Sequence, residues 1–296
     1  MASLRHYALV ALKGVAMGAA DVIPGVSGGT IAFITGIYEE LLATIACVKL
    51  SLLKTLKNEG LAAFWKALNG NFIVALFVGI GSAIVSLAHL ISWLLDNKPI
   101  QLWSFFFGLV LASVPLVARQ VGQWKMTQVA MFVVGAISAW LITGLPPVAG
   151  SSGLLFYFVC GMIAICAMIL PGISGSFILL LLGAYAPVIE AVKSFNIGIV
   201  AVFGAGCVVG LLSFSKLLNW MFNKHRSVTI ALLAGFLLGS LRKLWPWKTQ
   251  GEFLYTHSDG KQVFMLYNTD PASYAGEPLV MQALAFALLG MAIIFI

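Results

Sequence analysis

The chain contains few charged residues, and its cysteines show no metal-binding pattern. Charged side chains account for 9% of the 296 residues, whereas soluble domains contain about 25%. No CxxC pair occurs, and no cluster of cysteine and histidine has the spacing of a metal site. We therefore expect buried, unpaired thiols at Cys47, Cys160, Cys166 and Cys207.

Hydrophobic residues make up 61% of the chain, which excludes a water-soluble fold. A membrane-spanning helix needs about 20 apolar residues, and the chain offers several such runs. They cover residues 8–48, 69–95, 100–118, 126–145, 153–192, 196–221, 227–245 and 279–296. The net charge of +7 comes from residues in short loops, so it indicates lipid headgroups and no nucleic-acid partner. We predict an all-α, multi-pass membrane protein.

Two apolar runs, 8–48 and 153–192, are too long for one helix and contain a Pro-Gly break. The breaks lie at Pro24-Gly25 and at Pro171-Gly172. Proline removes a backbone donor and ends a helix, so each run is predicted to be a re-entrant helical hairpin with its tip inside the membrane. We call residues 24–30 the first tip and residues 171–176 the second tip.

The two hairpins belong to an internal repeat. Residues 14–38 (GVAMGAADVIPGVSGGTIAFITGIY) align without a gap on residues 161–185 (GMIAICAMILPGISGSFILLLLGAY), and the identities include seven at glycine, proline, serine and tyrosine. A weaker match joins residues 108–113 (GLVLAS) to residues 235–240 (GFLLGS). We predict two halves, 1–148 and 149–296, each a hairpin followed by about three spans, with a polar loop at 246–278 and a β-hairpin in it around Phe253–Tyr267.

The distribution of lysine and arginine predicts the orientation of the halves. Three single spans after the first hairpin would invert the second half relative to the first. A cytoplasmic N-terminus then places eleven cations inside, at Arg5, Lys13, Lys49, Lys54, Lys57, Lys66, Arg119, Lys125, Lys216, Lys224 and Arg226. Six lie outside, at Lys98, Lys193, Arg242, Lys243, Lys248 and Lys261. This excess follows the positive-inside rule, and it holds whether the hairpins re-enter or cross fully.

The residues of both tips suit an anion. Inverted repeats with broken helices are typical of transporters whose site lies near the midplane. Glycine lets the backbone approach a ligand, and a helix that starts after a break offers free N–H groups. The expected phosphate-binding residues are Ser27, Gly28, Gly29, Thr30, Ser174, Gly175 and Ser176. Neither tip is a nucleotide P-loop, because the Gly-Lys-Ser/Thr step is missing.

Four charged residues are further candidates. Asp21 is the one acid expected deep in the membrane, so it could bind a coupling proton or sodium ion, or it could brace the broken helix. Arg242 and Lys243 end a span on the predicted outer side, and Arg119 ends the related span on the inner side. Each could bind a lipid phosphate or could serve as an interfacial anchor. No metal site and no other cofactor is predicted.

Three segments carry a family resemblance. Residues 17–41 (MGAADVIPGVSGGTIAFITGIYEEL), residues 170–185 (LPGISGSFILLLLGAY) and residues 239–247 (GSLRKLWPW) resemble the PopT family of polyprenyl-phosphate translocases. The resemblance covers essentially the whole chain. It implies a flippase of the bacterial inner membrane that returns undecaprenyl phosphate from the outer to the inner leaflet, for reuse in cell-envelope glycan synthesis. The lipid and the bilayer would be its partners.

Two other functions stay open on the residues alone. An ion-coupled transporter of a small soluble anion would use the same tips. A membrane phosphatase acting on polyprenyl pyrophosphate could share the architecture, since fold does not determine function. Hydrolysis needs a nucleophile or activated water with a base and cationic groups, and neither tip contains histidine or arginine. We therefore predict no enzymatic activity.

The predicted orientation can be tested by labelling single cysteines. In a variant without the four native cysteines, Glu252→Cys should react with a membrane-impermeant maleimide added to spheroplasts. Lys57→Cys should react only after the membrane is opened, because it belongs to the positively charged inner side. The reverse labelling pattern would show that the N-terminus is outside.

Overall fold

The computed structural model describes residues 4–23, 26–148, 150–151, 153–256 and 262–295. Pro24, Gly25 and Lys261 lie outside the described residues. Helices dominate the fold. They are α1 (Leu4–Asp21), α2 (Gly28–Ile34), α3 (Tyr38–Ala46), α4 (Leu50–Ala67), α5 (Gly70–Asn97), α6 (Pro99–Arg119), α7 (Met126–Gly144), α8 (Leu154–Ile169), α9 (Gly175–Leu181), α10 (Tyr185–Lys193), α11 (Ile197–Leu244) and α12 (Val280–Ile293).

Within the described ranges, four helices are long and apolar enough to cross a membrane: α5, α6, α7 and α11. Two bent pairs, α2 with α3 and α9 with α10, raise the number to as many as six if each pair is one span. α11 loses helical geometry at His225 (φ −136°, ψ 44°), so it consists of two helices, at 197–224 and 226–244. These two pieces match the two spans predicted there from the sequence. Large apolar side chains such as Val85 and Leu155 are exposed on the helix surfaces, as lipid-facing residues are.

A second break follows each tip, and the sequence analysis did not predict it. The chain bends by 116° between α2 and α3, and by 110° between α9 and α10. The turning residues are Gly36 (φ 76°) and Gly183 (φ 65°), which occupy the left-handed region that favours glycine. Each turn is closed by the pair of bonds that ends many helices. Ile37 N–H donates to Ala32 (3.0 Å) and Gly36 N–H to Phe33 (3.3 Å), and in the second turn Ala184 N–H donates to Leu179 (2.9 Å) and Gly183 N–H to Leu180 (3.0 Å).

Glycines bring the long helices into close contact in both halves. A Cβ on Gly79 would lie 2.1 Å from the carbonyl oxygen of Ala11, where α5 crosses α1. A Cβ on Gly206 would lie 2.0 Å from the carbonyl oxygen of Phe158, where α11 crosses α8. These distances leave space for hydrogen only, so backbone packs directly against backbone, as in many membrane helix pairs.

A second set of glycine contacts joins one half of the chain to the other. A Cβ on Gly108 (α6) would lie 2.0 Å from the carbonyl oxygen of Ala287 in α12. A Cβ on Gly235 (α11) would lie 2.0 Å from the carbonyl oxygen of Phe132 in α7. Gly108 and Gly235 are the first residues of the weaker sequence match. The last helix of each half thus packs against the next-to-last span of the other half. α12 packs against α6, and α7 packs against the second part of α11.

Among the described residues, two elements have no counterpart in the other half. One is α4, between α3 and α5, which carries the exposed side chains Leu53, Leu61 and Trp65 beside several lysines. Between α11 and α12 the chain forms an antiparallel hairpin of β1 (Lys248–Thr256) and β2 (Gln262–Asn268). This hairpin lies in the loop where a β-hairpin was predicted.

The glycine contacts predict the positions at which an added methyl group lowers the stability of the protein. Gly108→Ala and Gly235→Ala should each destabilise the protein by about 1–3 kcal/mol, because the added Cβ overlaps a facing carbonyl. Gly81→Ala and Gly204→Ala are the controls, since no atom lies within 4 Å of the added Cβ at either position. Thermal unfolding in detergent measures the difference. Equal unfolding temperatures for all four variants would contradict the packing.

Candidate functional site

The first tip is held by hydrogen bonds from its own half. Gly28 N–H donates to Asp21 Oδ1 at 2.6 Å, and Gly29 N–H donates to Ser27 Oγ at 3.1 Å. Ser27 is thus the N-cap of α2, the role that serine and its relatives favour. The bracing contact considered for Asp21 from the sequence is present. A side chain at Gly28 would disrupt it, because a Cβ there would lie 2.5 Å from Asp21 Oδ2.

The first tip is bonded to the second half of the chain at two points, and Tyr38 of α3 adds a third bond. Ser27 Oγ donates to the carbonyl oxygen of Met168 at 3.0 Å. Gly172 N–H donates to Thr30 Oγ1 at 2.7 Å. The Tyr38 hydroxyl donates to the carbonyl oxygen of Ile169 at 3.1 Å. These bonds satisfy backbone groups that the end of α8 and the second tip would otherwise leave unpaired inside an apolar surrounding.

Close backbone approach accompanies these bonds. A Cβ on Gly29 would lie 2.7 Å from the carbonyl oxygen of Ile169 and 2.8 Å from that of Met168. Gly172 has φ 91°, and a Cβ on it would lie 2.5 Å from Ser240 Oγ of α11. The structure therefore brings the two predicted tips together, and glycine is required at both.

The second tip has the same cap but is more open. Ser174 is the N-cap of α9, and its Oγ accepts from Phe177 N–H at 3.3 Å. The hydroxyls of Ser174 and Ser176 are 3.3 Å apart. Gly175 and Ser176 are partly exposed, whereas Gly28 and Gly29 are buried.

In this conformation the hydrogen-bond donors of Ser27, Gly28 and Gly29 in the first tip already have acceptors within the protein. Gly28 N–H and Gly29 N–H both have protein acceptors, and Ser27 Oγ both accepts and donates. An anion could reach these groups only by displacing a partner, and the partner on Gly28 is itself an anion, the carboxylate of Asp21. The second tip is more open, because Ser176 is partly exposed, and its hydroxyl lies 3.3 Å from that of Ser174.

A cavity of about 770 Å³ lies beside the last turns of α11. Its wall is mostly apolar and comes from α6, α7 and α11, with Phe107, Ala136, Ile137, Trp140, Leu238 and Leu241. The polar groups of its wall include Arg242, Asn268 and Asp270. An apolar cleft with a few polar groups is the usual form of a small-molecule site.

Arg242 is fixed in position within this cavity. Its guanidinium carbon lies 4.9 Å from the ring centroid of Trp140, and Nη1 donates to the Trp140 carbonyl oxygen at 3.1 Å. Gly144 provides the space, because a Cβ there would overlap the guanidinium group. Asp270 is the acid of the same wall. Hydrogen bonds from the side chain and backbone of Ser273 lower the pKa of Asp270, so it stays ionised.

The other predicted cations lie elsewhere. Lys243 Nζ is 4.2 Å from the ring centroid of Phe177, directly after the second tip. Arg119 is exposed at the last residue of α6, roughly 24 Å along the helix from Trp103 at 1.5 Å per residue. The structure thus places Lys243 beside the second tip and Arg242 in the cavity. Arg119 lies at the opposite end of α6.

Sequence reasoning missed several residues of these sites. Asp270 and Trp140 are distant in sequence from Arg242, and no motif connects them. Glu39 forms an ion pair with Arg226 at the kink of α11, with Nη2 and Oε1 2.8 Å apart. The sequence analysis counted Lys248 only among the outer cations. Its position directly after Trp247 could have indicated an aromatic environment for its ammonium group.

Comparisons with known proteins give consistent results. A family model described as undecaprenyl phosphate translocase-like matches residues 17–263. A polyprenyl-phosphate transporter of Vibrio cholerae is 52% identical over 261 residues, which cover 88% of this chain and 84% of that protein. A polyprenyl-phosphate transporter of Staphylococcus aureus is 32% identical over 254 residues, covering 79% and 85%. No solved structure matches the chain.

The bond between the two tips can be tested through stability. Thr30→Val should cost about 1–3 kcal/mol, because it leaves the buried Gly172 N–H without an acceptor. Thr30→Ser keeps the hydroxyl and should lose much less. Thr55→Val in α4, whose hydroxyl bonds only within its own helix, is the matched control. Thermal unfolding that does not distinguish Thr30→Val from Thr55→Val would contradict the contact.

Proposed function

We propose that this chain, which belongs to the undecaprenyl phosphate translocase-like family, is a flippase of the bacterial inner membrane. It returns undecaprenyl phosphate from the outer to the inner leaflet, where the lipid re-enters cell-envelope glycan synthesis. The curated relatives are named for polyprenyl-phosphate transport. The direction is our inference from the positions of the cations and of the cavity.

The observation that carries the proposal is the arginine in the apolar cavity. A polyprenyl phosphate needs apolar walls for its chain and a fixed cation for its headgroup. The cavity supplies both, and a guanidinium group matches the geometry of a phosphate. Charge distribution supports an outer location for this end of α11. On this proposal the lipid enters from the outer leaflet with its phosphate near Arg242.

We infer that the two halves are inverted repeats that exchange between two states. The matched caps at Ser27 and Ser174, the matched bends and the matched glycine contacts support the repeat. Two related halves can form two related states that open to opposite sides. The tips, on this proposal, are re-entrant and lie near the midplane, where the phosphate would bind between them.

Asp21 offers a mechanism for coupling. Its carboxylate occupies Gly28 N–H, a donor that an incoming phosphate would need. Two unit charges 4 Å apart repel by roughly 4 kcal/mol at an effective dielectric constant of 20. A proton or a sodium ion on Asp21 would remove this repulsion and weaken the bond to Gly28. Uptake of the cation would then favour uptake of the phosphate.

The two competing functions make different demands on the same residues. A transporter of a soluble anion needs the tips but not an apolar cavity beside Arg242. A pyrophosphatase needs a nucleophile or a base at the phosphate, and Asp21 at the first tip is engaged with Gly28. Reconstitution in liposomes separates the three functions by measuring lipid movement, uptake of inorganic phosphate and release of phosphate from polyprenyl pyrophosphate.

Transport by the reconstituted protein should depend on Arg242. A leaflet-specific assay of undecaprenyl phosphate should show Arg242→Gln slower by about tenfold or more, because hydrogen bonds to charged groups contribute about 1.5–3 kcal/mol. Lys193→Gln removes an exposed charge at the end of α10 and serves as the control. Equal rates for both variants would exclude Arg242 from lipid capture.

Asp21→Asn should separate coupling from bracing. The amide oxygen can still accept from Gly28 N–H, but the side chain no longer exchanges a proton or binds a cation in the same way. The variant should equilibrate the lipid between leaflets without accumulating it in response to an ion gradient. Glu190→Gln, an exposed acid on α10, is the control. Unchanged gradient-driven accumulation in Asp21→Asn would leave bracing as its role.

A further inference from the structure

Two lysines meet where α11 ends and β1 begins. Lys243 lies in the last turn of α11, and Lys248 is the first residue of β1. The intervening turn brings the chain back, so that Lys248 Nζ donates to the backbone carbonyl oxygen of Lys243. Both side chains are partly buried. Their positions are therefore fixed by the fold and not by free movement at the surface.

Aromatic rings support both ammonium groups. Lys243 Nζ lies 4.2 Å from the ring centroid of Phe177, and Lys248 Nζ lies 4.1 Å from that of Trp103. Cation–π contacts of this length attract the charge without neutralising it. They hold the two lysine side chains at an aromatic wall.

No carboxylate balances this pair among the residues that the structure describes. The ion pairs found there are those of Glu39 with Arg226 and of Glu40 with His6. Burial, and secondly the positive charge of Lys243, lower the pKa of Lys248. The two ammonium groups are thus close enough to repel each other. An anion placed between them would relieve both the repulsion and the cost of burial.

Hydroxyl groups of the second tip lie on the same side. Phe177, whose ring contacts the ammonium group of Lys243, directly follows Ser176 in the chain. The hydroxyls of Ser174 and Ser176 are 3.3 Å apart. Ser240 lies three residues before Lys243, hence on the same face of α11, and it touches Gly172. Lys243 therefore connects the lysine pair to the partly exposed part of the second tip.

We propose that Lys243 and Lys248 form a site for a doubly charged phosphate monoester, and that this pair selects a monoester lipid over phosphodiester lipids. The inference rests on the proposed lipid transport and adds its selectivity. A phosphate monoester carries a charge of about −1.5 to −2 at pH 7. A phosphodiester carries one negative charge at its phosphate. A monoester can neutralise both lysines, whereas a diester leaves one buried cation unpaired.

A carrier of a monoester lipid needs to exclude the phosphodiester lipids that surround it. Phosphodiester lipids form the bulk of the membrane around a carrier for a rare monoester lipid. Apolar walls and a single cation would accept either class, since both offer acyl or prenyl chains and one negative charge. A second cation is neutralised only by a dianion. Phosphodiester lipids have no second negative charge, so the second cation disfavours their binding.

Binding to the purified full chain in detergent tests the proposal. The ligands are a short polyprenyl phosphate and its methyl diester, followed by tryptophan fluorescence, because Trp103, Trp245 and Trp247 lie near the pair. The wild-type protein should prefer the monoester by about tenfold or more. Lys248→Gln should reduce that preference to about threefold or less, because the monoester loses one of its two cations and the diester no longer leaves a cation unpaired.

Two further variants make the outcome decisive. Lys248→Arg keeps the charge and should keep the preference, which shows that the Lys248→Gln protein fails through charge and not through misfolding. Lys193→Gln should keep it as well. Equal loss of both ligands in Lys248→Gln, or an unchanged preference, would overturn the inference. If the wild-type protein neither binds nor transports polyprenyl phosphate, the proposed function itself fails, which is a different result.

Discussion

The fold depends on satisfying the backbone where helices break inside apolar surroundings. A carbonyl or N–H group without a partner there costs several kcal/mol. Part of this cost is met between the halves: Ser27 and Thr30 bond to the backbone at Met168 and Gly172. The first half contributes side chains and the second half contributes backbone. The first tip is also held by Asp21 and Ser27 of its own half, so it is the end of α8 and the second tip that depend on the other half.

The equivalent positions of the two halves have different chemistry. Thr30 corresponds to Phe177, and Asp21 corresponds to Met168, at the same offset in sequence. The polar members of these pairs are all in the first half, where they are used within the protein. The second tip leaves Gly175 and Ser176 partly exposed and has Lys243 beside it. Two similar sequence segments thus form one braced tip and one more exposed tip.

The sequence predicted the helical class, the apolar runs that form α5, α6, α7 and α11, and the meeting of the tips, because each depends on local periodicity or on a repeated motif. It did not predict the bends at Gly36 and Gly183, although both glycines were among the identities of the repeat. A glycine can pack, turn or approach a ligand, and only the φ angle distinguishes these uses. It also missed Lys248, because the contact with Trp103 joins elements about 145 positions apart. Contacts of that range are set by packing and leave no local pattern.

The glycine contacts restrict how the molecule can change shape. Backbone touches backbone where α1 crosses α5 and where α8 crosses α11, so the paired helices cannot slide without separating. Each pair must move as a rigid body, and the angular change must occur where helical geometry already fails. Among the described residues, those places include Gly36, Gly60, Gly183 and His225. If the halves exchange between two states as proposed, stiffening Gly36, Gly183 or His225 should slow that exchange without altering what either state binds.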